Sequence, residues 1–306
     1  MCTGQRLLLF WILFNLFVLG MLALDLFVFE KPADELKFRQ ALILSLAWLG
    51  MAAGFAVLLY FWRGRDSALE FTAGYLVELS LSVDNLFVFL LVFRYFRVST
   101  EVQHKVLFWG IVGALIMRGV FIVIGIELIQ RFHWVIFAFG AFLIYSGIKL
   151  LREEEAGVQP EKNPLLRILR RWLPVTEQYE GAKFFVRRER LYATPLLVVL
   201  IVIETTDLLF ATDSIPAVLA ITLKAFIVYT SNVFAVLGLR SLFFVLAGMI
   251  EIFHYLHYGL AIVLMFIGAK MLVSDYYQIS TELAIGVVAG VLSLSILASV
   301  LVPKRA

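Results

Sequence analysis

The chain has 306 residues, 62% of them apolar and only 16% charged, with a mean hydropathy of +0.95. Soluble domains run at about 45–50% apolar and about 25% charged, so a soluble enzyme, a disordered chain and a nucleic-acid binder are excluded and lipid must be the solvent. The single cysteine, Cys2, excludes a disulfide framework and a multi-thiolate metal site, and the net charge of +3 says less than where the charges fall.

A helix needs about 20 predominantly apolar residues to cross a hydrocarbon core about 30 Å thick. Nine stretches qualify: 7–29, 41–62, 69–93, 106–129, 132–151, 194–222, 227–252, 255–273 and 283–302. Lipid cannot satisfy backbone groups, so each stretch must be a helix. This predicts an all-α polytopic membrane protein of about nine transmembrane helices. The first run is too long for a signal sequence and has no small-x-small cleavage site, so it reads as a retained helix. Two leading helices fill 1–62, a three-helix unit 69–151, a connection 152–193, a second three-helix unit 194–273, and a last helix 283–302. Gly50-Met-Ala-Ala-Gly54 and Gly286-Val-Val-Ala-Gly290 are small-residue stretches that let backbones approach. They predict packing of those helices within the bundle, or a homodimer.

Within the connection, Asn163-Pro164 is a helix start. Leu165, Leu166, Ile168, Leu169, Trp172 and Leu173 then share one face, with Arg167, Arg170 and Arg171 on the other. That pattern predicts a short amphipathic helix lying among lipid headgroups; the alternative is a solvated linker helix. If the connections alternate sides, the N-terminal side holds six Lys and Arg residues and the opposite side eighteen. Positive charge collects on the cytoplasmic side, so the N-terminus is predicted outside and the C-terminus in the cytoplasm.

The two three-helix units repeat one another. Glu78-Leu-Ser-Leu-Ser-Val-Asp84-Asn85 matches Asp207-Leu-Leu-Phe-Ala-Thr-Asp213-Ser214, and Arg118 and Arg240 each lie deep in the apolar run that follows. Phe132-His133 then matches Phe253-His254, and Gly147-Ile-Lys149 matches Gly268-Ala-Lys270. A unit of three spans reverses direction between copies, so the repeats are predicted to be inverted. Inverted repeats are the architecture of many secondary transporters, with the substrate near the midplane where the copies meet.

Asp25, Glu78, Asp84, Glu204, Asp207 and Asp213 lie within the predicted spans, with only Arg118 and Arg240 to offset them. A charge at the centre of a span costs about 2.5–3.5 kcal/mol even on insertion scales. Either several acids are protonated or a cation belongs among them. Glu78 and Asn85 share a helical face, as do Asp207 and Ser214, while Asp84 and Asp213 sit about 100° away. Pro216 cannot donate to the carbonyl of Thr212, which leaves a main-chain oxygen beside Asp213. Carboxylate, carbonyl and hydroxyl together suit a hard cation such as magnesium, calcium or manganese. The alternatives are neutral, hydrogen-bonded acids at Glu78 and Glu204, and arginines that act as structural glue for the aspartates. Asp25 lies near a span end, where it reaches water. Lys149 and Lys270 read as span-end lysines reaching the interface.

These motifs resemble the TerC family over about 70–302, in Glu78 to Asn85, in Glu204-Thr-Thr-Asp207-Leu-Leu-Phe-Ala-Thr-Asp213-Ser214-Ile-Pro216-Ala, and in Asn232-Val-Phe-Ala-Val-Leu-Gly-Leu-Arg240. The leading spans and Phe184-Phe-Val-Arg-Arg188 are similar to Alx-type members. The resemblance implies manganese export from the bacterial cytoplasm. Carried over, it implies Asp84, Asn85, Glu204, Asp207, Asp213 and Ser214 as metal-facing positions. Glu78, of the same motif, and Thr212, Arg118 and Arg240, from the reading of the residues above, are expected in support.

The expectation is therefore a bacterial inner-membrane carrier that exports a divalent cation, with manganese first, and with protons as a coupling ion. Its partners would be the cation and membrane lipid, with no resident cofactor and no nucleic acid. The chain has no Walker A sequence. Nor does it carry Gly-x-Ser-x-Gly or His-Glu-x-x-His, so an enzyme is not expected. The alternatives are a calcium carrier, a sodium–proton exchanger, or a scaffold for metal-stress (tellurite resistance) proteins acting through 152–193.

Overall fold

Each of the nine predicted spans is a helix in the computed structural model. They are α1 (Cys2–Phe29), α2 (Phe38–Arg63), α3 (Arg65–Tyr95), α4 (Thr100–Arg131), α5 (Trp134–Arg152), α6 (Pro195–Leu219), α7 (Ala225–Ala247), α8 (Leu256–Leu272) and α9 (Thr281–Leu301). The structure describes residues 2–29, 38–152, 174–176, 178–187, 190–247, 255–277 and 279–301, with the side chains of 2–8, 25–29, 84 and 300 outside the description. The predicted amphipathic helix at 163–173 also lies outside the described residues. Among them, seven helices are long and apolar enough to cross a membrane, and Leu9–Leu24 and Leu256–Leu272 are shorter apolar helices.

Contacts at the helix ends establish that the connections alternate sides. At one end Arg65 lies 3.6 Å from Glu282, Glu70 lies 3.0 Å from Lys224, and His133 lies 3.5 Å from Asp275. At the other, Lys105 Nζ donates to Ala182 O at 2.5 Å and Tyr179 Oη to Phe96 O at 2.7 Å. That second end carries a feature absent from the sequence reading: a small hairpin of β1 (Phe185–Arg187) and β2 (Leu191–Ala193), with Phe185 paired to Ala193. Aromatic and β-branched residues favour the extended form here. Thr194, buried at the start of α6, donates to Lys183 O at 2.6 Å and anchors the hairpin to the bundle. Pro195 then occupies the first turn of α6, where its missing N–H costs nothing. Burial raises the Tyr179 phenol above its ordinary value.

The six helices of the two units pack in a reciprocal way. A Cβ added at Gly74 of α3 would meet Ser231 of α7 at 2.9 Å, and one at Gly110 of α4 would meet Ile203 of α6 at 3.4 Å. Thus the first helix of each unit packs against the second helix of the other. The third helices, α5 and α8, cross antiparallel. A Cβ at Gly147 would lie 2.8 Å from Ala261 O, and a Cβ at Gly268 would lie 2.6 Å from Gly140 O. Glycine lets these two backbones touch. Pro216 does not end its helix: α6 runs on to Leu219 with Pro216 buried inside it. Neighbouring helices re-satisfy a freed backbone group well enough for this in lipid.

The small-residue stretches of α2 and α9 depart from the expected packing. A Cβ at Gly50, Gly54, Gly286 or Gly290 would have nothing within 4 Å among the described residues. Small residues permit close approach but supply no attraction of their own. α2 instead uses Trp48, Ala52 and Leu59 against α3 and α7.

Candidate functional site

α3 and α6 run antiparallel through the middle of the bundle. Thr222 Oγ1 donates to Glu70 Oε2 at 2.9 Å, and a Cβ at Gly74 would lie 3.3 Å from Val218. Continued by whole turns, this register brings Glu78 level with Ser214 and Asn85 level with Asp207. The two polar stripes read from the sequence therefore face one another. All four residues are buried, at 0%, 1%, 2% and 3% exposure respectively.

Arg118 of α4 reaches into this interface and is itself 0% exposed. Its Nη2 donates to Asp207 Oδ1 at 3.0 Å and its Nε to Asp207 Oδ2 at 3.2 Å, the bidentate fork that suits a carboxylate. Its Nη1 is ion-paired with Glu78 Oε1. One guanidinium thus bridges an acid of α3 and an acid of α6. Burying three charges is tolerable only because each lies against an opposite one. Glu204 adds a third acid on α6, within electrostatic reach of Asp207. Its carboxylate lies where a side chain at Gly113 would stand, against the bare backbone of α4. Glu78 and Asp207 share one bridging arginine, and Glu204 stands beside them with no ion pair to it among the described residues. Around them Ser82 Oγ, Asn85 Nδ2 and Ser214 Oγ are buried with no hydrogen-bond partner among the described residues. Orphaned buried polar atoms of this kind call for an ion or water.

The remaining candidates lie elsewhere. Asp213 turns to α5, where Ser146 Oγ donates to its Oδ1 at 2.7 Å and the charge of Lys149 is felt. Thr212 is exposed and its hydroxyl donates to Leu209 O at 2.6 Å, so its side chain is directed away from the α3–α6 interface. Asp84 falls within α3, but its side chain lies outside the described residues, as does that of Asp25. Arg240 of α7 is buried at 2% exposure and its charge reaches His104 of α4. Among the described residues no three His, Cys, Asp or Glu side chains are gathered closely enough to hold a metal. Sequence spacing singled out Arg118 as a possible partner for the aspartates. It could not give the simultaneous grip on Glu78 and Asp207, which depends on three helices meeting. The hold of Ser146 on Asp213 and the room that Gly113 leaves for Glu204 are not legible in the sequence, because a serine or glycine in an apolar run does not announce its partner.

Residues 63–306 match the TerC family of integral membrane proteins. A membrane protein of Myxococcus xanthus, STKORF319, is 46% identical over 97% of this chain and 93% of its own length. Proteins named Alx, described as candidate membrane-bound redox modulators, are 43% identical. The one from Salmonella typhi is matched over 94% of this chain and 92% of its own length, and the one from Escherichia coli strain K12 over 97% and 96%. No solved structure matches the chain. With its helices, its acidic motifs and these relatives in agreement, the chain belongs to the TerC family of integral membrane proteins.

Proposed function

We propose that this protein is a secondary carrier of the bacterial inner membrane that exports a divalent metal cation, manganese first. The observation that carries the reading is the buried pair of Glu78 and Asp207 on one bridging arginine, with Glu204 in electrostatic reach of Asp207 and orphaned hydroxyls at Ser82 and Ser214. Carboxylate, hydroxyl and amide oxygens are the donors hard cations take, and an ionisable residue at membrane depth marks an ion path by default. Asn85 and Ser214 complete the metal-facing set at this interface, with Asp84 next to Asn85 in α3 and Arg240 in support. Asp213, held by Ser146 of α5 in this conformation, joins them in another state of the cycle. Thr212, whose hydroxyl bonds within α6, is left out. The reciprocal packing of the three-helix units supports an inverted repeat, so rocking of one unit against the other gives alternating access. Acids shared by proton and metal make proton antiport the coupling. The N-terminus is outside and the C-terminus cytoplasmic, and the protein acts as a carrier, not an enzyme.

The deciding experiment is manganese flux in proteoliposomes of purified protein, with the Asp84→Asn, Asp213→Asn double variant beside it. Saturable flux that the double variant loses is the expected result. Calcium or sodium competing better than manganese would reassign the cargo, and no flux under any pH gradient would reject the carrier. The names of the Alx relatives favour one second reading, a role in redox balance. Cys2 is the single thiol in these 306 residues and cannot form a dithiol couple within the chain. Any redox effect would therefore run through the ion carried, and would vanish in the same double variant.

A further inference from the structure

We propose that Arg118 and Arg240 take turns as the tethered counter-cation of the empty carrier, Arg118 in the conformation described and Arg240 in the opposite-facing one. This rests on the carrier reading above. Its starting point is that Arg118 bridges two acids from different units. Glu78 and Asp207 open the matching motifs, and the spacing from Glu78 to Asn85 equals that from Asp207 to Ser214. Arg118 and Arg240 are likewise the matching arginines of the second helices.

Reciprocal packing turns that correspondence into geometry. The contact of Gly74 with Ser231 is answered by that of Ile203 with Gly110, and the contact of Gly147 with Ala261 by that of Gly268 with Gly140. An operation that exchanges the two units sends Glu78 to Asp207 and Asp207 to Glu78, so the acid pair maps onto itself. The same operation sends Arg118 to Arg240. A carrier whose units exchange conformations during its cycle presents the same two carboxylates to Arg240 when Arg118 has let go. Arg240 is already buried at bundle depth, on a helix that packs against α3 and α4.

Charge gives the exchange a purpose. Two carboxylates clamped by one guanidinium cross between states with one net negative charge instead of two in low dielectric. A divalent cation between the same two carboxylates neutralises both, so metal and guanidinium compete for one place. The loaded carrier then reorients with the metal, and the metal-free one with an arginine and the coupled proton, which together neutralise the same two carboxylates.

The test separates net flux from exchange in proteoliposomes, using manganese alone as the probe. Net flux requires the empty carrier to return; exchange of internal for external manganese does not. For Arg118→Gln and Arg240→Gln, net flux is expected to fall about tenfold or more while exchange stays within about twofold of the parent protein, as expected when a buried countercharge is lost from one state only. Arg118→Lys, which keeps the charge but not the fork, is expected to show the same split in milder form, and it decides the matter if Arg118→Gln does not fold. Equal loss of net flux and exchange in the variants would overturn the counter-cation role. Unchanged net flux in Arg240→Gln would overturn the turn-taking. A parent protein with neither net flux nor exchange would instead reject the carrier reading itself.

Discussion

Arg118 is the residue on which the interior electrostatics depend. Its removal leaves Glu78 and Asp207 buried without a countercharge, and breaking a buried pair costs about 3–5 kcal/mol. Arg118→Ala is therefore expected to lower the thermal midpoint in detergent sharply. Adding Glu78→Gln and Asp207→Asn to it should restore most of the loss, because the desolvated charges are then gone. A triple variant no more stable than Arg118→Ala would mean that packing, not charge, sets the effect. Gly113 makes a finer test. An alanine there displaces the Glu204 carboxylate, the far end of a flexible side chain, and leaves the backbone alone. The cost should be about 1 kcal/mol, the low end for overpacking, while manganese flux falls several-fold. Unchanged flux in Gly113→Ala would remove Glu204 from the path.

At the scale of helices, the crossing of α5 and α8 is the contact least able to yield. A Cβ at Gly268 would lie 2.6 Å from Gly140 O and 3.0 Å from Ile144 N, both backbone atoms. Gly268→Ala must push the helices apart, at about 1–3 kcal/mol. Gly290→Ala, with nothing within 4 Å among the described residues, should be neutral in the same melting experiment. The contrast shows what the sequence could and could not say about elements. Span positions were legible because hydrophobic length alone decides them. The facing stripes of α3 and α6 were legible because a seven-residue step returns to one helical face. Which glycines touch was not legible: Gly147 and Gly290 look alike in sequence, and only the partner helix distinguishes them. The hairpin at 185–193 escaped for a similar reason, since its strands are three residues each, too short for alternation to register, and are held by Thr194.

The molecule as a whole has two unlike ends. One gathers the α2–α3, α4–α5, α6–α7 and α8–α9 connections, tied by Arg65–Glu282, Glu70–Lys224 and His133–Asp275. The other gathers the α3–α4 turn and the hairpin, tied by Lys105 and Tyr179. These contacts establish the alternation on which the count of six against eighteen basic residues depends, and the richer end is the one that carries the hairpin. Translocation disfavours Lys and Arg in short connections close to the spans, so the proposed orientation puts the hairpin end in the cytoplasm. Tyr276, 92% exposed at the opposite end, and Glu180, beside the hairpin, serve as reporters in a Cys2→Ser background. A membrane-impermeant maleimide applied to intact cells should label Tyr276→Cys at once, and Glu180→Cys only after permeabilisation. The reverse pattern would invert the whole protein. The proposed export would survive that inversion, because ion gradients and not orientation set the direction of a secondary carrier.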